Sequence, residues 1–524
     1  MYKKIIKIIL PLVFFLSILT IGGCGNGPVL LSPENSDGNT EPNVQSPPVD
    51  QGEGHVENVV SAYLKAFKAP GCDPANPEVL FISDATGWQQ INSLDYRIFC
   101  VKPGRYNDLG TIRLSASGSE TSPRVILLDS TQSTEHPAAL AEREQAILES
   151  LSFDNASHWI VSRLSILDTP SDSTAVVFNS GSSFNTLDQM RIERFYYGLD
   201  IHNRANANTI QLSLVGNINV RRGSDTVCIG LLGYRSQPES IEIVNTRIIN
   251  NEIYNCNDGI QTIINPDIRY SVDFSGLIID ANDIYLTPAM YTDCAGGRNP
   301  TGNCACAENA IDLKAGTDNT NSPVRITNNR LWGMRKTDVQ CGGSGSWGAA
   351  LVGSFNTRNA LIADNVIFDS ARGISFSTGP SDLTVSGNLI HGINSTRDNE
   401  GLALSTTADT RRLSFLRNTI VDAGSWLVLQ ASDSQVECNV LIDSGAARGV
   451  VRSGTVVDRN SYFNTPEWSS SSNENVVYGL ASDSASEELC FTVKRISNPE
   501  NVCLAYGQST DASPYHSCSG PDQT

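Results

Sequence analysis

The sequence predicts an all-β protein folded as a single-stranded parallel β-helix, and a repeated phrase is the main observation behind this prediction. From about residue 185 onward the chain repeats an alternating apolar strand, Asn, any residue, an aliphatic, a few polar residues, then Gly and another apolar strand. The phrase appears in INNEIYNCNDGIQTI, IADNVIFDSARGISFS and LRNTIVDAGSWLVLQ. Such a persistent repeat is typical of stacked coils that each contact only their neighbours.

The turn asparagines of these repeats give the second observation, the size of each coil. Successive asparagines are 31, 47, 36, 23, 30, 21 and 21 residues apart. The shortest interval is close to one coil of a β-helix, and the longer intervals indicate coils with insertions. Because Asn tolerates the left-handed conformation of a tight corner, we predict one column of stacked turn residues: Asn251, Asn282, Asn329, Asn365, Asn388, Asn418, Asn439 and Asn460.

The repeat resembles the right-handed parallel β-helix of the pectin-lyase-like superfamily, in which turn asparagines form a hydrogen-bonded ladder and aliphatic side chains stack inward. The resemblance covers roughly residues 75 to 465. A β-sandwich would instead give hairpin turns. The resemblance implies that the strands beginning at each Gly-Ile phrase lie side by side on the face that forms the substrate groove.

The N-terminus predicts export. Residues 1–23 place three lysines ahead of a short apolar run, as in a secretory signal peptide. The run ends in Ile21-Gly22-Gly23-Cys24, which resembles the lipobox of bacterial lipoproteins and implies acylation of Cys24. We therefore expect an exported protein, lipid-anchored to the bacterial outer membrane or cell surface. An ordinary signal peptide with a chance cysteine is the alternative.

The rest of the chain divides by composition. Residues 24–57 are rich in Pro, Ser, Asn, Gly and acids, which predicts a flexible tether. Residues 58–74 show helical spacing and would cap the open end of the β-helix at 75–465, covering edges that otherwise aggregate. Residues 466–524 are Ser-rich and contain three cysteines, which predicts an irregular C-terminal cap pinned by disulfides.

The charge of the chain limits its partners. The chain has 37 basic and 56 acidic residues, which gives a formal net charge of −19. Removal of the signal peptide takes away three lysines and no acids, so the mature chain would have 34 basic residues and a net charge of −22. Such a surface excludes nucleic acid as a natural partner. It also repels an acidic polysaccharide at long range, so that substrate would need a locally basic or metal-bridged groove. A monomer is expected, attached to a membrane only through its lipid.

The cysteines predict disulfide-stapled loops. Of 13 cysteines, 12 remain when Cys24 is set aside, an even number in an exported chain. Four of them crowd one region of the sequence, and no histidine lies nearby to support the alternative, a zinc site. We predict disulfides in the loops above the groove from Cys294, Cys304, Cys306 and Cys341.

The stretch AENAIDLKAG, residues 307–316, carries the candidate chemistry. In a strand, the two-residue period sends Ile311 and Leu313 to one face and Asp312 and Lys314 to the other. By the resemblance, DGIQTI, ENAIDLKAG, WGAALVGS, ARGISFS and EGLALS stack in one sheet. The expected inward residues are Ile260, Ile311, Ile374 and Leu402, and the expected outward residues include Gln261, Asp312 and Ser375.

Two long insertions favour a cleft above this sheet. They run from 285 to 307 and from 335 to 346, directly before two adjacent groove strands; the first contains three cysteines and the second contains one, and both contain glycines. Long loops beside one strand commonly form the walls of a binding site. Trp332 and Trp347 could stack on sugars there or simply pack under a loop. A surface ion pair remains the simpler interpretation of Asp312 and Lys314.

The chain is similar in character to calcium- and lysine-dependent polysaccharide lyases such as alginate lyase and chondroitinase B. This implies β-elimination on a uronate polysaccharide, with a cation neutralising the substrate carboxylate and a base removing the adjacent proton. The resemblance assigns the base to Lys314, supporting cations to Arg335 and Arg372, and tentative calcium binding to Asp258, Glu308 and Asp312. The alternatives are a non-catalytic glycan-binding or adhesion protein, an epimerase and a glycoside hydrolase.

Overall fold

A computed structural model of the chain divides into two units, Met1–Lys68 and Ala69–Thr524, and every residue described below belongs to the second. The described residues are 72–129, 135–170, 173–218, 226–232, 240–263, 271–287, 290, 308–335, 348–393, 401–449, 451–466 and the strands at 476–478, 486–493 and 500–507. The predicted signal peptide, Cys24, the tether and residues 58–71 lie outside them. Domain boundaries therefore stay predictions.

The described residues form a right-handed parallel β-helix, as predicted, whose coils each add a strand to three long parallel sheets. Sheet A comprises β1 (Val79–Ile82), β2 (Ile98–Val101), β5 (Arg124–Leu128), β8 (Trp159–Ser162), β11 (Thr186–Asp188), β14 (Thr209–Gln211), β18 (Arg247–Ile249), β22 (Ile278–Asp280), β25 (Val324–Thr327), β28 (Arg358–Ala363), β31 (Ser381–Ser386), β34 (Arg411–Leu416), β37 (Gln435–Glu437) and β40 (Val456–Asp458).

Sheets B and C complete the coils. Sheet B comprises β3 (Gly104–Arg105), β6 (Ala146–Leu148), β9 (Ser165–Leu167), β12 (Arg191–Glu193), β15 (Leu214–Gly216), β19 (Glu252–Tyr254), β23 (Asp283–Tyr285), β26 (Arg330–Trp332), β29 (Val366–Phe368), β32 (Leu389–Ile393), β35 (Thr419–Ala423), β38 (Val440–Ile442), β41 (Ser461–Phe463) and β42 (Val476–Tyr478). Sheet C comprises β4 (Thr111–Leu114), β7 (Ser150–Phe153), β10 (Thr174–Phe178), β13 (Tyr197–His202), β16 (Val227–Leu232), β20 (Asp258–Ile263), β24 (Asn309–Ala315), β27 (Ala349–Asn356), β30 (Arg372–Ser377), β33 (Leu402–Thr406), β36 (Ser425–Leu429) and β39 (Arg448–Gly449).

A few elements lie outside the three sheets. Strands β17 (Ser240–Glu242) and β21 (Ser271–Asp273) form a short parallel pair. Strands β43 (Ser486–Val493) and β44 (Glu500–Gly507) form an antiparallel pair within the predicted C-terminal cap. The helices are α1 (Ala85–Gln89) and three 3-10 turns, Asn107–Leu109, Pro137–Ala139 and Glu142–Glu144. In the described part of the chain, no helix has the length and apolar character needed to cross a membrane.

The core is filled by aliphatic columns that run from coil to coil. One column on sheet C takes one residue from each of five successive strands, and all five residues are fully buried. They are Ile260, Ile311, Leu351, Ile374 and Leu404. Burial of such columns removes apolar surface from water along the whole length of the β-helix and is the main favourable term in its stability.

One predicted inward residue is corrected. Leu402 pairs with Arg372 at the strand starts and is partly exposed, and Leu404 takes the inward position. The neighbouring residues Ala403 and Leu404 are both fully buried. The two-residue alternation therefore does not extend back to the first residue of the strand, which is why counting from the Gly-Leu phrase misplaced Leu402.

The predicted asparagine column exists and forms a continuous ladder at the corner between sheets A and B. The backbone N–H and side-chain Nδ2 of Asn365 both donate to Oδ1 of Asn388, at 3.0 and 2.9 Å. Asn388 donates in the same way to Asn418. The pattern continues through all eight predicted asparagines, from Asn251 to Asn460.

The physical reason for asparagine at this corner differs from the prediction. The left-handed residue is the one before each ladder asparagine, for example Asp364, Gly387 and Arg417. The ladder asparagines are selected for their side chains, because each amide accepts from the coil before it and donates to the coil after it. A second, shorter ladder, in which Asn185 donates to Asn208 at the entry to sheet A, was not predicted.

Two disulfide bonds lie within the described residues, and both join cysteines for which no pairing was predicted. Cys72 is bonded to Cys100 and Cys228 to Cys256, with Cα–Cα separations of 5.8 and 5.7 Å. Cys438 is also disulfide-bonded. The four predicted loop cysteines lie outside the described residues. Disulfides fit an oxidising compartment outside the cytosol.

Aromatic side chains form a stack on the outer face of sheet B. Five rings follow one another from coil to coil, in the order Tyr254, Tyr285, Trp332, Phe368 and His391. The centroids of successive rings are 5.9, 4.3, 5.3 and 5.1 Å apart, and the rings are stacked. Each inner ring has a neighbour on both faces. The stack therefore favours the packing interpretation of Trp332 over sugar stacking.

The ladder predicts a specific cost for its removal. Replacing Asn388 with Ala leaves the buried N–H and Nδ2 donors of Asn365 without their shared acceptor, so unfolding should become easier by about 3 kcal/mol. Urea-induced unfolding followed by circular dichroism measures this. Replacing the exposed Asn321 with Ala is the matched control and should change stability by less than about 0.5 kcal/mol. Equal effects of the two substitutions would contradict the role of the ladder.

Candidate functional site

Four ionisable side chains, here called the acid cluster, lie on or directly before two neighbouring strands near the middle of sheet C. They are Asp258, Glu308, Asp312 and Lys314. Strand β20 pairs with β24 in a register that sets Asp258 opposite Asn309 and Gln261 opposite Asp312. The predicted neighbours β27, β30 and β33 follow in the same sheet in the predicted order.

Asp258 is the buried centre of the acid cluster. Its Oδ1 accepts hydrogen bonds from the backbone N–H and Nδ2 of Asn309, both at 3.1 Å, and its Oδ2 accepts from Nε2 of Gln261 at 3.1 Å. Burial raises the pKa of Asp258 well above its usual range, and the charges of Glu308 and Asp312 add to the rise. A side-chain hydrogen bond joins Asp258 to Glu308. The raised pKa favours the protonated form of Asp258 at pH values where an exposed aspartate is ionised, with Glu308 as its hydrogen-bond partner.

Asp312 and Lys314 form an ion pair on the outer face of strand β24. The Nζ atom of Lys314 donates to Oδ2 of Asp312, and Nε2 of Gln261 donates to the same oxygen at 2.8 Å. The side chain of Lys314 is 23% exposed and that of Asp312 only 6%. Lys314 is thus well placed to meet a molecule arriving from solvent. In the part of the chain that the structure describes, Oδ1 of Asp312 is buried without a hydrogen-bond partner.

A bulge aims Lys314 away from the regular ladder. The register with strand β27 shifts between Leu313 and Ala315. The backbone N–H groups of Lys314 and Ala315 instead donate to Oγ1 of Thr262, at 2.8 and 3.3 Å. Bulges re-aim side chains in this way and are frequent beside functional sites.

The two predicted arginines lie away from the buried centre of the acid cluster. The guanidinium of Arg335 forms an ion pair with Asp369 of the next coil. Arg372 begins strand β30 and occupies the same register column as Asp258, Asn309 and Ala349. Three strand spacings separate it from Asp258, which corresponds to about 14 Å. At that distance Arg372 lies outside the acid cluster.

Sequence reasoning missed the amides that organise the acid cluster. Gln261 was expected on the outer face but without a role, and its Nε2 bridges Asp258 and Asp312. Asn309 and Thr262 were not singled out. Asn309 fixes Asp258, and Thr262 fixes the bulge. An alignment of consecutive copies of the repeat could have predicted these contacts. In that alignment Asp258 matches Asn309 and Gln261 matches Asp312, which places each pair side by side on neighbouring strands.

The described side chains do not form a calcium site by themselves. Both oxygens of Asp258 and one of Asp312 already accept hydrogen bonds from protein donors. Calcium requires six to eight oxygen ligands, and among the described residues no three His, Cys, Asp or Glu side chains gather as a metal site. Calcium binding therefore stays a prediction, and none of the chemistry proposed below depends on it.

Comparisons with known proteins return distant structural likenesses. No protein-family model and no curated protein matches the chain. The surface adhesin PfbA of Streptococcus pneumoniae is similar at 13% identity, over 79% of this chain and 92% of PfbA, with a TM-score of 0.38. A mannuronic acid specific polysaccharide family 6 lyase from human gut microbiota is similar at 11% identity, over 74% of this chain and 86% of the lyase, also with a TM-score of 0.38.

A third solved structure, XylC in complex with xylose, is similar at 10% identity with a TM-score of 0.36. The match covers 60% of this chain, and the chain spans 56% of the length of XylC. Likenesses this distant carry no argument about chemistry. The activity of the chain has to be argued from the acid cluster itself.

Proposed function

We propose that this protein cleaves a uronate-containing polysaccharide by β-elimination at the acid cluster. The observation that carries the proposal is the buried, hydrogen-bonded pair of Asp258 and Glu308 beside the ion pair of Asp312 and Lys314. Elimination needs a cation for the sugar carboxylate and a base for the adjacent proton, and the acid cluster holds candidates for both.

The contacts favour Lys314 as the cation. Its Nζ donates to the carboxylate of Asp312, and an amine that donates to a carboxylate in this way is positioned to donate to a second carboxylate, that of a sugar. Lys314 as the base, predicted from the sequence, would require a neutral amine in this acidic setting. As an ammonium group, Lys314 would instead pair with the carboxylate of the substrate and make the neighbouring C–H more acidic.

Glu308 is the better candidate for the base. It precedes strand β24, directly after the long insertion, and its side chain is hydrogen-bonded to that of Asp258, whose raised pKa favours a proton there. In the reaction, Glu308 takes the proton next to the sugar carboxylate, and the electron pair of that C–H bond forms a double bond to the adjacent ring carbon. The glycosidic C–O bond at that carbon breaks, its electron pair stays on the leaving oxygen, and that oxygen receives the proton from Glu308. Asp258 is fully buried and acts through Glu308 as a positioning residue.

Hydrolysis fits the same carboxyls less well. Glycoside hydrolases separate their two carboxyl groups by roughly 5 to 9.5 Å to accommodate a sugar or a water. Asp258 and Glu308 are joined by a direct hydrogen bond. A glycan-binding protein without activity would use the same groove, and the first experiment below separates it from a lyase.

Substitution of the two proposed catalytic residues tests the proposal. Wild-type protein incubated with alginate, polygalacturonate and chondroitin sulfate should generate the ultraviolet absorbance of unsaturated uronate ends with at least one of them. Glu308→Gln should lower that rate by about 10² to 10⁴-fold, because it removes the base. Lys314→Ala should raise KM as well as lower kcat, because it removes a contact to the substrate carboxylate.

The matched control is Asp318→Asn, an exposed carboxylate paired with Arg358 shortly after the same strand. It should cleave at the wild-type rate. Glu308→Gln protein with undiminished cleavage would overturn the base assignment. New reducing ends without ultraviolet absorbance would indicate hydrolysis, and binding without any cleavage would indicate an adhesin or binding module.

The raised pKa of Asp258 predicts a loss of activity with rising pH. Below the folded pKa, the pair carries one negative charge. Above it, Asp258 ionises and the acid cluster repels a uronate more strongly. Folding stability should fall as the pH rises from the unfolded pKa of an aspartate to the raised folded pKa and should level off above it, because only in that interval does the native state hold a proton that the unfolded state has lost. Asp258→Asn mimics the protonated form and should flatten both profiles. Profiles identical to wild type would contradict the assignment.

We also propose that export ends in lipid anchoring at Cys24, as the lipobox resemblance predicts. The described disulfides support export but do not bear on the lipid. In a bacterial host, wild-type protein should fractionate with membranes and require detergent for release. Cys24→Ser should shift it to the soluble fraction, because lipid chains supply the membrane affinity. Cofractionation of both proteins with membranes would contradict anchoring at this residue.

A further inference from the structure

Tyr197 is an exposed aromatic residue on the same sheet as the acid cluster. It begins strand β13 and is 39% exposed, although most large apolar side chains in the described chain are buried. Its ring stands edge-to-face with that of Tyr196, with centroids 4.7 Å apart and planes at 89°. This contact holds the ring of Tyr197 in a defined orientation while leaving part of it open to solvent.

The register of sheet C connects Tyr197 to the acid cluster. Strand β13 pairs with β16 so that Leu199 faces Ile229, which sets Tyr197 beside Val227. Val227 in turn pairs with Asp258. Tyr197 thus lies two strand spacings from Asp258, a distance of about 10 Å along the axis of the β-helix.

Strand β16 lies between Tyr197 and the acid cluster. Its residue Val227 separates Tyr197 from Asp258 in their register column. Three positions further along the strands, Gly230 separates Asp200 from Gln261. A polysaccharide that contacts Tyr197 and the acid cluster together would therefore cross a single strand.

We propose that the ring of Tyr197 is a stacking platform for one sugar of the polysaccharide whose reactive unit lies at the acid cluster. One face of a pyranose presents C–H groups, and the face of an aromatic ring carries the negative part of its quadrupole, so the two surfaces attract while excluding water. Such a contact is uncharged. It gives a strongly acidic protein a way to hold an acidic glycan without electrostatic attraction. This inference rests on the proposed function for the identity of the ligand.

Binding of alginate, polygalacturonate and chondroitin sulfate oligosaccharides to the full exported chain, measured by isothermal titration calorimetry, tests the platform. Tyr197→Ala should weaken binding of the recognised oligosaccharide about tenfold, the size expected for loss of one aromatic contact with its buried area. Tyr197→Phe keeps the ring and should bind within about twofold of wild type. The matched control is Phe184→Ala, which removes an even more exposed ring, 56% accessible, from the turn before sheet A. It should leave binding unchanged.

The outcomes separate this inference from the proposed activity. Cleavage by wild type together with equal affinities of wild type and Tyr197→Ala would overturn the platform and leave the lyase proposal standing. Binding that depends on Tyr197 without cleavage would overturn the lyase proposal and leave the platform standing. Equal losses in Tyr197→Ala and Phe184→Ala, or no binding by wild type to any of the three oligosaccharides, would overturn the platform.

Discussion

The structure depends on one repeated interaction, the donation of two N–H groups from each ladder asparagine to the side-chain oxygen of the next. Coils of 21 to 47 residues close on this corner, because the ladder positions stay aligned however long the intervening insertion is. The ladder is buried, so an unmatched amide would cost free energy on both sides of a break. Alignment at the corner then sets the register of all three sheets, and with it the neighbours of every side chain on their outer faces.

The acid cluster is a direct consequence of that register. Asp258 and Asp312 are 54 positions apart in the sequence, yet the pairing of β20 with β24 brings both within reach of the single amide of Gln261. Neither strand holds the arrangement alone. The insertion between the two strands can vary in length without moving the acid cluster, because the corner and the sheet fix both ends.

The sequence therefore predicted what repeats and failed where a residue departs from the repeat. The ladder, the parallel sheets and the proximity of Asp312 to Lys314 follow from periodicity alone. Leu402 was misplaced because alternation stops at the strand entry. The bulge at Lys314 depends on Thr262, a hydroxyl one coil away, and the role of Gln261 depends on two carboxylates that meet only after folding. Contacts of this kind carry no local periodicity, so only the folded register reveals them.

Charge is the remaining constraint, and protonation of Asp258 relieves it. Three ionised carboxyls in a mostly buried place would carry three negative charges, and burial makes each unpaired charge costly. The raised pKa of Asp258 favours its protonated form, which removes one of these charges, and the ion pair of Lys314 with Asp312 compensates another. Glu308 is the carboxyl left to interact with the protonated Asp258. A carboxylate supported by a neighbouring proton donor is suited to accept a proton from a bound molecule, and the proposed role of Glu308 as a base rests on this arrangement.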